Sequence, residues 1–411
     1  MNEVSSSTLS WLDSSEHERR TVLQLVSALN EPGTLDELGI GSIRDTFSDV
    51  LFPGTSTIQT RARYFLFVPW IMKMVEASSS SNRPNHASWL QLQLRSALIK
   101  SHPTEPGVIG REAGAALQRW PHDIYWLGTA SWGIRRYPGS ILSYFDSLGR
   151  PSPWVLAGRA LEESVEGRRD EASEGVAGNW ANVPGRPSDF PWKASFKLSQ
   201  EEGEYLRERV ELSHSQSYLA HILRHGRTEE LRVGDLPWDH PVAKSAPVLA
   251  LAWLKDAQLF SLVHQGGVLL FDLILAELLD DEARRGDYSD RLAIWSGDID
   301  AVGPELRSWD RASMWRRLYE ANPRLRPRTR EFADRWFELV SVSGSGPIQD
   351  RLEARRLVRE RERALKGGRA RLSYAEARDR KRGFPFAGPL EFRWTQVKRI
   401  GADILSALER S

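Results

Sequence analysis

The chain of 411 residues contains no cysteine. Disulfide bonds, thiolate-bound zinc and a cysteine nucleophile are therefore excluded. Residues 1–15 are polar and lack the apolar segment of a secretory signal, and no stretch reaches the roughly 18 uncharged apolar residues of a membrane-spanning helix. The most apolar stretch, Leu259–Leu279, carries His264, Asp272 and Glu277. We therefore expect a buried helix there and a cytoplasmic protein of bacterial type.

Known catalytic signatures are also absent. The chain has no GxxxxGK[ST] phosphate loop, no GxGxxG fingerprint, no HExxH zinc motif, no GxSxG nucleophile elbow and no EF-hand loop. His221 and His225 are four residues apart and share a helix face, but no third ligand for a metal is evident. The sequence predicts no cofactor and no metal, and it favours a non-catalytic protein over an enzyme.

Helical signals dominate what is present. Hydrophobic residues make up 40% of the chain, which together with glycine is ordinary for a globular protein. Apolar residues recur at helical spacing, Ser140 can cap a helix over Ile141–Leu148, and Gly133 can end the one before it. Alternating strand patterns are sparse. We predict a mainly α-helical, multi-helix globular protein with a long loop rich in Pro, Gly and Trp and with little or no β-sheet.

Composition divides the chain into four predicted regions. Prolines and glycines concentrate in the second region, whose tryptophans Trp154, Trp180 and Trp192 indicate that it packs on a domain. The regions are an N-terminal helical region 1–150, a Pro/Gly/Trp-rich linker or long loop 151–193, a central helical core 194–345 and a basic C-terminal helical region 346–411.

Three local predictions concern the central core. Glu201–His225 reads as one long amphipathic helix, and Arg284–Pro304 reads as a polar connector. Ala246–Leu279 reads as two strongly apolar helices separated near Gln265–Gly267, because glycines weaken a helix.

Charge is unevenly distributed. The net charge of the chain is +1, yet residues 351–411 hold fourteen Arg and three Lys against eight Asp and Glu, a net charge of +9. Nearly all the cations are arginines, 47 against nine lysines, and arginine suits bidentate phosphate contacts. The pattern predicts a basic face at the C-terminal end, with the codon usage of a GC-rich genome as the alternative cause of the arginine excess.

Arginines interleaved with aromatic residues are the most distinctive feature. Guanidinium groups neutralise phosphates and aromatic rings stack on exposed bases, so this pattern indicates nucleic-acid binding. The alternative is cation–π packing inside the fold. The candidate contacts are Arg61, Arg63, Arg135, Arg136, Lys366, Arg369 and Arg371, with Tyr64, Trp132, Tyr137, Tyr374 and Trp394 as neighbouring aromatic residues.

Four residues are weaker candidates for acid–base chemistry. Asp272 and Glu277 fall on an apolar stretch that also carries His264, and His240 precedes a proline at a turn. A buried carboxylate can serve as a general base. The alternative, which we favour, is a purely structural role. In that case the core carboxylates are paired with arginine, and His240 forms a turn.

Several segments together resemble an uncharacterised bacterial family known only as a domain of unknown function. Their number and order make the resemblance specific, and it spans most of the chain except residues 149–192. It implies no assigned activity and no catalytic residues; a frequent gene neighbourhood with helicases and phage-defence components implies a nucleic-acid context. The segments are ELGIGSIRDTFSDVLFPGTSTIQTRARYFLFVPWI, YWLGTASWGIRRYPGS, DHPVAKSAP, FSLVHQGGVLLFDLILAEL and RERALKGGRARL.

Three functions stay open at this point. The first is a non-catalytic helical accessory protein, of use in antiphage defence, that binds nucleic acid or a partner such as a helicase or nuclease through its arginines. The second is a metal-assisted hydrolase of nucleic acid or nucleotides that uses the weaker candidates. The third is a protein-interaction scaffold in which the acidic body and basic end dock a partner. No membrane partner is expected.

Overall fold

The computed structural model describes residues 36–112, 117, 119–148, 178–341, 347–380, 383–385 and 387–410. Within these ranges the protein consists of α-helices, short 3₁₀ turns and loops, without a β-strand. The predicted mainly α-helical fold is confirmed. The helices are α1 (Gly41–Leu51), α2 (Tyr64–Glu76), α3 (Arg83–Ser101), α4 (Pro121–Ser131), α5 (Ile141–Ser147), α6 (Gln200–His214), α7 (Tyr218–His225), α8 (Val248–Leu278), α9 (Glu282–Ala301), α10 (Gly303–Ser308), α11 (Arg311–Ala321), α12 (Pro327–Ser341), α13 (Leu352–Lys366), α14 (Ala375–Arg380) and α15 (Trp394–Leu408).

Helix α8 is one continuous helix, so the prediction of two helices separated at Gln265–Gly267 was wrong. Gly266 lies against the indole ring of Trp295 in α9. A Cβ atom added at residue 266 would lie only 2.2 Å from Trp295 Cζ2. The glycine therefore allows two helices to pack closely, and it does not interrupt either of them.

Helix α8 is long and apolar enough to cross a membrane by length and composition alone. In the folded protein, however, 83% of its most apolar window is buried inside the chain. This agrees with the buried helix expected over Leu259–Leu279. Core helices commonly pass the same length test, so composition says little here about membrane association.

The expected connector at Arg284–Pro304 is instead mostly helix α9. Its buried residues recur at intervals of four, three and four, which places one apolar stripe against α8. Polar and charged residues fill most positions between them, and the exposed Ile294 interrupts the pattern, so the stripe is hidden in the sequence. The buried residues are Tyr288, Leu292, Trp295 and Ile299.

The single helix predicted over Glu201–His225 is two helices, α6 and α7. The second begins at a new cap, because the Ser217 hydroxyl accepts a hydrogen bond from the backbone N–H of Ala220 at 3.1 Å. The cap predicted at Ser140 is confirmed, since its hydroxyl accepts from Ser143 N–H at 3.1 Å.

The described end of the Pro/Gly/Trp-rich region packs on helix α2. The indole N–H of Trp70 donates to the Pro184 carbonyl at 2.7 Å, and Trp180 is buried. Trp192 is exposed. Trp154 lies outside the described residues.

Contacts join the first and last predicted regions of the chain. Arg361 in α13 donates from Nε to the Leu38 carbonyl at 2.8 Å and from Nη2 to the Gly39 carbonyl at 3.1 Å. On its inner face, α13 buries Ala354, Leu357 and Val358. The division of the chain into four regions stays a prediction.

Candidate nucleic-acid interface

Arg61 is held by two carboxylates inside the protein. Its Nε lies 2.9 Å from Asp403 Oδ2 and its Nη2 lies 2.8 Å from Asp403 Oδ1, a bidentate pair. Glu105 accepts a further hydrogen bond from Nη1, and the guanidinium lies 4.4 Å from the centre of the Phe196 ring. Arg61 thus ties the start of α2 to α15 and is not offered to a ligand.

Arg63 is similarly engaged. Its Nη2 lies 2.7 Å from Glu202 Oε1, and its Nη1 donates to the Ser195 carbonyl at 2.9 Å. The Glu202 carboxylate also accepts a hydrogen bond from Ser199 N–H at the start of α6. Arg63 therefore fixes a helix terminus.

Arg135 is buried against an indole ring. Its guanidinium carbon lies 4.2 Å from the centre of the Trp126 ring, and its Nε donates to the Trp126 carbonyl at 3.1 Å. The carbonyls of Tyr137 and Gly139 accept hydrogen bonds from Nη1. This is the cation–π packing that the sequence left open as the alternative.

Lys366 and Arg371 meet in a buried ionic cluster. Arg371 Nη2 lies 3.0 Å from Glu37 Oε1, and Lys366 forms an ion pair with the same carboxylate. Glu362, which is fully buried, lies 3.6 Å from Lys366 Nζ and accepts the backbone N–H of Arg371 at 2.9 Å. Two cations thus neutralise two anions between the 37–39 segment and the end of α13.

Arg136 and Arg369 are the two remaining candidates, and both are exposed. Five of the seven predicted contact residues therefore bind partners within the protein, namely Arg61, Arg63, Arg135, Lys366 and Arg371. The reason is visible in their partners: each of the five has carboxylate or carbonyl acceptors supplied by residues elsewhere in the fold.

The four weaker candidates contact different elements. The imidazole Nδ1 of His240 accepts from Val242 N–H at 3.3 Å, and its ring lies edge-on to Trp394. Glu277 is ion-paired with Arg355. Glu277 lies on α8 with His264 and Asp272, whereas His240 directly precedes the 3₁₀ turn Pro241–Ser245.

His264 and Asp272 are buried on α8 and carry strongly shifted proton affinities. Burial lowers the pKa of His264 to about 4, and its ring stacks on Phe260. Burial raises the pKa of Asp272 to about 8, against the opposing fields of Arg371 and Arg291. Neither carboxyl oxygen of Asp272 has a hydrogen-bond partner. Both side chains are closed off from solvent.

His221 and His225 do lie side by side, with ring centres 4.8 Å apart. His221 already contacts the Val242 carbonyl and the Ser245 hydroxyl, each at 3.2 Å. Among the described residues, no group of three or more His, Asp or Glu side chains is arranged to hold a metal ion.

The outer face of α13 carries arginines that sequence reasoning did not single out. Arg356, Arg359 and Arg363 lie three and four residues apart, so they share the face opposite the buried Ala354 and Val358. Of these arginines, Arg356 and Arg363 are exposed and Arg359 is half-buried. The sequence does contain the pattern: these arginines recur at helical spacing, on the side of the helix opposite the apolar residues.

These three arginines border a groove of about 460 Å³. We call it the arginine groove. Its only acidic lining residue is Glu360, and within the described chain none of the three arginines is ion-paired. The Nε of Arg359 is buried without a hydrogen-bond partner. The groove is lined by Leu352, Arg355, Arg356, Arg359, Glu360, Arg363 and Ser373.

Comparison with known proteins gives one match. The model of a family of unknown function, DUF6361, matches residues 6–407, nearly the whole chain. No curated protein and no solved structure matches.

Proposed function

Because the chain belongs to the DUF6361 family, whose function is unknown, we propose a function from its own surface: a non-catalytic helical accessory protein that binds nucleic acid through the arginine groove. The groove replaces the inward-facing arginines as the contact surface. The exposed Arg369 lies three residues beyond the end of α13.

The observation that carries this proposal is the set Arg356, Arg359 and Arg363, cations on a solvent face without ion-paired carboxylates in the described chain. Over seven residues an α-helix rises about 10 Å, so the three guanidinium groups follow the helix axis over that length. Successive phosphates of a nucleic-acid strand can pair with such a row.

Electrostatics set both the strength and the limits of this binding. Each guanidinium that pairs with a phosphate releases condensed counterions, so affinity falls as salt rises. Glu360 opposes the attraction at the edge of the groove. Three phosphate contacts support modest, sequence-independent affinity, which suits an accessory role.

The test is a binding titration of a fluorescein-labelled 20-nucleotide strand at low salt, with the wild type and two triple variants. R356Q/R359Q/R363Q removes the three positive charges from the outer face of α13. The control, R186Q/R227Q/R232Q, removes the same charge from exposed arginines outside α13. We expect the first variant to bind at least about tenfold more weakly and the control to stay within about twofold of the wild type.

Equal losses in the two variants would show that net charge, and not the arginine groove, governs binding. Undetectable binding by the wild type to both single strands and duplexes would remove the proposal.

A further inference from the structure

Three aromatic side chains of the described chain are exposed: Trp89, Trp192 and Tyr374. Trp89 stacks on His86. Tyr374 is 44% exposed and makes no ring contact among the described residues. It directly follows Ser373, which lines the arginine groove. Tyr374 alone of the three is adjacent in sequence to a residue that lines the arginine groove.

The backbone around Tyr374 is fastened to α13. The buried Glu362 carboxylate accepts the N–H groups of Arg371 and Leu372 at 2.9 and 2.8 Å. The N–H of Tyr374 donates to the Ala370 carbonyl at 3.0 Å. Since Glu362 belongs to α13 itself, these bonds hold the 370–374 turn at a fixed place beside the arginines.

The far side of Tyr374 is fixed as well. Its carbonyl accepts the N–H of Ala377 at 3.2 Å, where helix α14 begins. The ring therefore projects from a backbone held on both sides, and little ordering is needed when a ligand binds.

We propose that Tyr374 is a stacking platform for an unpaired base, and that the arginine groove therefore takes single-stranded nucleic acid in preference to duplex. This inference rests on the proposed function. An aromatic ring stacks on any base, so it adds affinity without sequence preference. In a duplex, both faces of an internal base are already covered by neighbouring bases, and the ring has nothing to stack on.

The test separates bases from phosphates. Three labelled probes of equal length are titrated: a strand of twenty thymidines, an abasic strand of twenty tetrahydrofuran-phosphate units and a 20-base-pair duplex. The wild type should bind the thymidine strand more tightly than either other probe. Tyr374→Ala should bind the thymidine strand at least about fivefold more weakly and leave the abasic strand unchanged, because one base stack is worth about 1 kcal/mol or more.

Tyr374→Phe is the matched control, since it keeps the ring and should keep the affinity for the thymidine strand. Loss of affinity in Tyr374→Ala for all three probes alike, or for none of them, would overturn the stacking role. If the stacking role fails while R356Q/R359Q/R363Q still loses binding, the proposed function stands without it. If that triple variant binds every probe as the wild type does, the proposed function itself fails.

Discussion

Arg371 and Glu37 are joined by a 3.0 Å ion pair between Nη2 and Oε1 although 334 positions separate them in the sequence. Both side chains are almost completely buried. Lys366 pairs with the same carboxylate, so Glu37 contacts two cations of the basic C-terminal region. Part of the excess positive charge that the sequence places there is thus paired inside the fold.

Glu37→Gln should destabilise the protein strongly. The substitution keeps the shape of the side chain but leaves the buried Arg371 and the half-buried Lys366 with less compensating charge. Breaking one partner of a buried pair costs about 3–5 kcal/mol. Chemical denaturation measures this loss, and the exposed Glu360→Gln is the control, which should unfold as the wild type does. A free energy of unfolding for Glu37→Gln within about 0.5 kcal/mol of the wild type would contradict the role of this cluster.

Arg61→Gln should lower stability without lowering affinity for nucleic acid. The arginine makes a bidentate pair with Asp403 and a further bond to Glu105. Loss of charge-assisted hydrogen bonds of this kind costs about 2 kcal/mol. R356Q/R359Q/R363Q should show the reverse pattern, weak binding with unchanged stability. If the Arg61→Gln protein is folded and binds nucleic acid more weakly than the wild type, the prediction is wrong and Arg61 contributes to binding.

Gly266→Ala tests the close packing of α8 on α9. Its Cβ would lie 2.2 Å from Trp295 Cζ2, so the helices must separate, at a cost of about 1–3 kcal/mol. Gly297→Ala in α9 is the control, because nothing lies within 4 Å of the position of its Cβ. It should stabilise the protein by about 0.5–1 kcal/mol through helix propensity. Thermal unfolding of the two variants should therefore shift in opposite directions, and a shift in the same direction would contradict the packing.

Asp272 should make stability fall as pH rises from about 4 to about 8. Its pKa is about 8 in the folded protein and about 4 when unfolded. Between these values the folded state holds a proton that the unfolded state has lost, so the free energy of unfolding decreases with pH, by at most about 1.4 kcal/mol per pH unit. His264, with a folded pKa of about 4, acts in the opposite direction only below its unfolded value of about 6.5.

The window from pH 6.5 to 8 therefore isolates Asp272. Asp272→Asn should remove that group's contribution, so the stability difference between variant and wild type should move in the variant's favour across the window. A difference that stays constant with pH would show that Asp272 is ionised in the folded protein.

The fold class and several helix boundaries could be predicted from local signals, because a cap such as Ser140 acts within one turn. Gly266 was misread for the opposite reason: its meaning depends on Trp295, which lies in another helix. The same holds for Arg61 and Arg371, whose partners Asp403 and Glu37 lie more than 300 positions away. No pattern in a single sequence shows which arginine will form an ion pair with a carboxylate distant in the chain.

The position of the three arginines on the outer face of α13 could have been predicted from the sequence. Ala354, Leu357 and Val358 mark the inner face of α13, and the helical period then places Arg356, Arg359 and Arg363 outside. The sequence could not show that these three line one groove without ion-paired carboxylates among the described residues, in contrast to Arg61, Arg63 and Arg371. Their exposure follows from the tertiary structure.

The salt dependence of binding to the thymidine strand tests the central claim most directly. Three phosphate contacts to a single strand give a slope of log affinity against log salt of about −2, and R356Q/R359Q/R363Q should lose nearly all of it. R186Q/R227Q/R232Q should keep the wild-type slope. Parallel lines for the wild type and the α13 variant would show that the outer face of α13 does not meet the phosphates.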